Sequence, residues 1–185
     1  HMIHWHHDPK EFTWVNEAMS QLAAFINGFG HPSQVLAFIK SPDNSLCGWT
    51  NDNMIANYGQ VYLFAYYLTT HLPGSVKEKS TLIKGIVSEK SHGALGIEDA
   101  IKKIGEKDSF AEMFRNFCVS NFLNNALSDK GTYGYDPLLA KLRLEPMKNH
   151  DDPPFNGKGT VKPWSARAIT MDLSGCGGEL GISFV

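Results

Sequence analysis

The residues of this chain whose types could do chemistry gather near its start. Four of its eight histidines, His1, His4, His6 and His7, fall within the first seven residues. Glu17 follows in Thr13-Trp14-Val15-Asn16-Glu17-Ala18-Met19-Ser20-Gln21-Leu22-Ala23, an apolar stretch that carries one acid. A carboxylate among large apolar groups costs free energy unless a cation, a metal or several donors compensate it. Imidazole and carboxylate side chains are also the donors of a catalytic zinc, which takes three protein ligands of the His/His/Glu kind and leaves one position for water. The metal lowers the pKa of that water and makes it a nucleophile. In H-E-x-x-H the two histidines sit one helical turn apart and the intervening Glu takes the water's proton. The third ligand then comes from a second helix, and a Glu early in an apolar helix would serve.

The elements that must position these groups read as helices. Phe12, Val15, Met19, Leu22 and Ile26 recur at the three- and four-residue steps of one buried stripe, which predicts a helix over about residues 11–27. Glu17 lies off that stripe, in line with Thr13 and Gln21. Gly28-Phe29-Gly30-His31-Pro32 stops the helix, and a short one is expected over 33–40 behind Pro32 and the Ser33 cap. Residues 41–45 read as a turn. The second long helix spans 52–72, with Ile55, Tyr58, Tyr62, Phe64, Ala65 and Leu68 available to pack, and ends at Pro73-Gly74. Further helices are expected over 76–89, 97–104 and 110–127. The reading is a mainly α fold, with a helical domain over 1–130. Proline, glycine and asparagine make 131–160 a linker or long loop. Residues 161–185 are expected to be a β extension, with strands near 168–173 and 179–185 joined by a hairpin loop at 174–178. The sequence stops inside a strand pattern, which suggests an excised piece with an incomplete β module.

Composition narrows the function classes. With 185 residues and 42% hydrophobic side chains the chain can bury a real core. A formal net charge of −2 and a pI near 6.5 give no basic footprint for nucleic acid. No apolar run approaches the roughly 20 residues of a membrane span, and the first residues have no apolar core of a signal peptide. Cys47, Cys118 and Cys176 are odd in number and without C-x-x-C spacing, so they are expected to be free.

Two stretches resemble a known family. His1-Met2-Ile3-His4-Trp5, a short polar link, then Trp14-Val15-Asn16-Glu17-Ala18 is similar to the region around the second zinc histidine and the glutamate ligand of gluzincin metallopeptidases. It most resembles the secreted bacterial branch of hyicolysin-type and immune-inhibitor-A-like peptidases. The resemblance implies that His1 is the last histidine of H-E-x-x-H and Glu17 the third zinc ligand. The first histidine and the glutamate base would then lie upstream, in another part of the same polypeptide. Asn57-Tyr58-Gly59-Gln60-Val61-Tyr62-Leu63-Phe64-Ala65-Tyr66-Tyr67-Leu68 resembles the gluzincin aminopeptidase helix whose tyrosine hydroxyl donates to the oxyanion. Tyr58 takes that role by resemblance, with Tyr62 in reserve. Taken together this implies the helical C-terminal subdomain of a zinc-dependent, secreted bacterial peptidase acting on protein or peptide substrates. Without the His-Glu-x-x part this fragment is expected to be inactive.

Simpler readings stand beside these. His1-Met2 is also a common scar of tag removal. His4, His6 and His7 read as solvated or helix-end residues, and His31, His71, His92 and His150 as structural or exposed ones. Tyr66 and Tyr67 are core or rim, and Asp151-Asp152 a solvated loop. The rival to a peptidase is a non-catalytic helical binding or scaffold module, or a degenerate peptidase domain, in which Glu17 would be salt-bridged with no cavity at its face.

Overall fold

Helix α4, Met54–His71, is the member around which the others are arranged. An amphipathic helix buries one stripe, but α4 is buried without a break from Gly59 to Leu68. A helix apolar on every side belongs in a core. The structure is a computed structural model that describes residues 1–72, 75–136, 139, 142–144, 146, 148–150 and 159–174. It is mainly α, as the periodicity predicts. In chain order α1 is Met2–His7, α2 Thr13–Ala24, α3 Gln34–Lys40, then α4, followed by α5 Val76–Ser88, α6 Gly93–Lys103 and α7 Phe110–Leu123. Helices α2 and α3 lie along α4, and α5 and α7 also reach it.

Two local devices set how the helices meet. At Gly59 a Cβ would stand 2.1 Å from the backbone oxygen of Gln34, so glycine there lets the start of α3 lie directly on α4. Helices α5 and α7 each open with a capping box, Ser75 with Glu78 and Ser109 with Glu112, which satisfies donors at the helix start.

The stripe on α2 is rotated from the expected one. Trp14, Val15, Ala18, Met19 and Leu22 are buried, whereas Phe12 and Ile26 are exposed. Trp14 takes the place expected of Phe12, its indole tilted against Phe110 with ring centres 6.3 Å apart. The helix also ends differently, in a wider turn over Phe25–Phe29 that Gly28 closes with φ 87°.

Helix α1 is absent from the sequence-based expectations, because six residues containing three histidines carry no readable apolar period. It lies against α5, and three contacts from neighbouring residues fasten it. Asp8 pairs with His92 at 3.1 Å, Lys90 donates to the His7 carbonyl at 2.6 Å, and the Gly93 N–H donates to Glu11 at 2.8 Å. The histidine on its inner face is His4, only 4% exposed. That corrects the reading of His4 as solvated: α1 needs an inward face, and His4 is the residue that occupies it. Burial holds its imidazole below the usual histidine range.

Past α7 the chain carries little regular structure but stays on the helical body. Tyr67 donates to the Thr132 carbonyl at 3.0 Å, buried Tyr135 donates to Asn121 at 2.6 Å, and Asn124 donates to the carbonyls of Leu139 and Leu142. Two three-residue strands, Lys148–His150 and Ile169–Met171, pair in parallel with Asn149 opposite Thr170. The second falls inside the strand expected over 168–173. The hairpin loop, apart from Ser174, the strand expected over 179–185, Cys176 and Asp151-Asp152 lie outside the described residues. Cys47 and Cys118 are free thiols that burial holds at about 11 and about 12. Among the described residues no helix is long and apolar enough to cross a membrane.

Candidate metal centre

Three elements bring His1, Glu17 and Tyr58 together. Glu17 projects from the first turns of α2, whose buried stripe of Trp14, Val15 and Ala18 locks the helix in place. Its side chain is 16% exposed. Tyr58 is on the second turn of α4 and has its hydroxyl near enough to the Glu17 carboxylate for the two groups to shift each other's pKa. The Tyr58 ring is half-buried, with the edge of Trp49 against it at 5.0 Å between ring centres. His1 precedes α1 and puts Nε2 3.3 Å from Glu17 Oε2. Its other ring nitrogen, Nδ1, is 3.2 Å from Asn16 Oδ1. An Nδ1–H donated to that amide oxygen leaves Nε2 as the lone-pair nitrogen facing Glu17, the way a ligating histidine is oriented.

The electrostatics follow from burial. Desolvation raises the Glu17 carboxyl above the usual range, and the neighbouring Tyr58 hydroxyl pulls it part of the way back. Tyr58 is raised first by burial, then by the charge and hydrogen bond of Glu17. The carboxylate therefore has a donor on one side and an imidazole on the other.

An imidazole and a carboxylate are donors of the kinds a zinc takes. Two ligand atoms each about 2.05 Å from a tetrahedral zinc stand about 3.3 Å apart, and His1 Nε2 and Glu17 Oε2 are 3.3 Å apart. The set has two protein ligands rather than three. Among the described residues no group of three His, Cys, Asp or Glu side chains could hold a metal ion. A concavity of about 250 Å³ opens beside His1, lined by His1, Met2, Trp5 and Asn16, and Glu17 does not line it.

Tyr62 does not share the site. It is fully buried and its hydroxyl lies 2.6 Å from His31 Nδ1, so it is no reserve for Tyr58. Four residues on, about 6 Å further along the helix axis, the side chain meets His31, near where Tyr66 donates to Asp136. Asn16 is the residue of the site that sequence reasoning gives no role. Its signal is its place directly before Glu17, one step round the helix toward the histidines. His6 and His7 are exposed, as expected, and stay away from Glu17.

No family model matches the chain, and no curated protein matches it.

Proposed function

We propose that this chain carries part of the active site of a zinc-dependent peptidase, hydrolysing peptide bonds in a protein or peptide substrate. The observation that supports it is the meeting of His1 Nε2 and Glu17 Oε2 at 3.3 Å with the Tyr58 hydroxyl beside the same carboxylate. His1 and Glu17 would hold the zinc, with Asn16 fixing the His1 ring. When bound, the metal supplies a Lewis acid for the scissile carbonyl and an acidified water. Tyr58, whose raised pKa keeps its proton at neutral pH, donates to the carbonyl oxygen as negative charge develops there. A third ligand and a general base would come from a His-Glu-x-x segment upstream of His1, in the same polypeptide. On this reading the chain by itself is inactive. Secretion by a bacterial cell follows from the family resemblance alone.

One observation favours the second reading, a non-catalytic helical module. The Glu17 carboxylate is already within ion-pair distance of His1, so a protonated imidazole there satisfies it without metal. The deciding experiment extends the chain upstream through a complete His-Glu-x-x-His motif and compares it with Glu17→Ala. Zinc content and peptidase activity are expected to fall together at least tenfold. Unchanged zinc content and unchanged activity in the variant would sink the ligand role.

A further inference from the structure

Residues 162–167 cross the helical body at the loop between α3 and α4, residues 41–53. Three kinds of contact fasten them. The Trp164 carbonyl accepts the Leu46 N–H at 2.7 Å. The Arg167 guanidinium pairs with Asp43. The Trp164 indole stands edge-on to Phe110 and Phe114, with ring centres 4.9 and 5.2 Å apart. Trp164 makes these contacts from a backbone φ of 52°, a conformation that a tryptophan rarely adopts unless its surroundings enforce it.

The gripped loop is in turn tied to α4 on both sides of Tyr58. Asn57 Nδ2 donates to the Thr50 carbonyl at 2.9 Å and Gln60 Nε2 donates to the Asn44 carbonyl at 3.0 Å. Leu46, next to the gripped backbone, is 1% exposed. Three residues past it Trp49 meets Tyr58 edge-on. A continuous set of contacts therefore runs from Arg167 and Trp164, through Asp43 and Leu46, to Trp49 and the ring whose hydroxyl reaches Glu17.

We propose that residues 162–167 act as a positioning strap, in which Trp164 and Arg167 hold the 41–53 loop so that Trp49 fixes the Tyr58 ring with its hydroxyl toward Glu17. This rests on the reading of Tyr58 and Glu17 as site residues. Glu17 itself is placed by α2, which the strap does not touch. Loosening the strap should therefore move Tyr58 and leave the His1–Glu17 pair in place.

The test uses the full chain and reads the aromatic NMR signal of Tyr58, assigned with Tyr58→Phe. The ring current of Trp49 displaces that signal, so Trp49→Ala gives the reference for an unwalled ring. In W164A/R167A, Leu46 amide exchange should accelerate at least tenfold and the Tyr58 signal should move most of the way to the Trp49→Ala position. Arg167→Ala alone should move it part of the way, and Arg167→Lys should restore it. If the double variant fails to fold, the Arg167 pair of variants carries the same comparison. Faster Leu46 exchange with an unmoved Tyr58 signal would overturn the proposal, as would Leu46 exchange that stays slow. Zinc added to the chain extended upstream through a complete His-Glu-x-x-His motif is read at the His1 imidazole; no response there would overturn the metal reading and leave the strap standing.

Discussion

Gly59→Ala is the sharpest single test of how α3 seats on α4. The added methyl would lie 2.1 Å from the Gln34 carbonyl oxygen, 2.6 Å from its carbon and 2.9 Å from the Val35 nitrogen. All three are backbone atoms, so no rotamer change relieves the contact. Helix α3 must retreat by about 1 Å to restore ordinary separations. That retreat loosens Val35 and Phe38, which are 3% and 2% exposed. Burying two such side chains stabilises by about 3–6 kcal/mol together, and a gap of this size forfeits about a quarter to a half of the contact energy. Residual overpacking adds about 1–3 kcal/mol, and the better helix propensity of alanine offsets about 1 kcal/mol. The expected net loss is about 3 kcal/mol, or a melting temperature lower by roughly 6–12 °C. Gly85→Ala on α5 is the control, since its Cβ would meet Ala100 Cβ at an ordinary 3.5 Å; it should stabilise by up to about 1 kcal/mol. Paired thermal melts and urea titrations measure both. A Gly59→Ala chain that melts at or above the wild type would refute the close approach of the two helices.

Other consequences arise from burial and capping. His4, His31 and His71 have pKa values lowered chiefly by desolvation, so the unfolded chain binds protons at these sites more readily than the folded one. Stability is then complete above about pH 6.5 and falls as pH drops below it, by up to about 1.4 kcal/mol per pH unit for each histidine. Glu11, raised by burial, works in the opposite sense nearer pH 4.5. Urea midpoints at pH 8, 7, 6 and 5 should show the decline, and His71→Gln should flatten it; a midpoint independent of pH over that range would contradict the burial of all three. Ser109→Ala removes the acceptor for the Glu112 N–H at the start of α7 and should lower stability by about 1 kcal/mol in a urea titration.

The helices are legible in the sequence wherever one face is apolar, but the partners across them are not. Periodicity places α2, α4, α5 and α7, yet on α2 it selects Phe12 and Ile26 for the core where the structure buries Trp14 and Ala18. The alternative stripe differs by a fraction of a turn, and the partners it meets, α4 and Phe110 of α7, decide between them. On α4 the difficulty is greater, because an all-round apolar helix has no preferred face to read. Tyr58 and Tyr62 look alike by spacing, and what separates them is remote: Glu17 waits beside one and His31 beside the other. The strap contacts are likewise invisible to local patterns, since Arg167 and Asp43 are 124 residues apart. The site residues His1, Glu17 and Tyr58 are reached through resemblance, with local spacing contributing only that Glu17 stands off the apolar stripe.

The Glu17 carboxylate can be asked directly which of the two readings holds. As a structural pair its energetics are weak, because the His1 side chain is 53% exposed and exposed ion pairs contribute about 0–1 kcal/mol. Against that stands a desolvation cost large enough to raise the Glu17 pKa. Glu17→Gln keeps the size and shape of the side chain and removes the buried charge. If the pair is merely structural, this variant should be as stable as the wild type or more so, and zinc should act equally on both. If Glu17 is a ligand, the variant should keep or gain stability without metal but lose the stabilisation that zinc gives the wild-type chain. With both proteins extended upstream through a complete His-Glu-x-x-His motif, stability measured with zinc and with a chelator separates the two. Equal zinc responses would leave Glu17 as an ordinary buried acid, and a response confined to the wild type would assign the carboxylate to the metal.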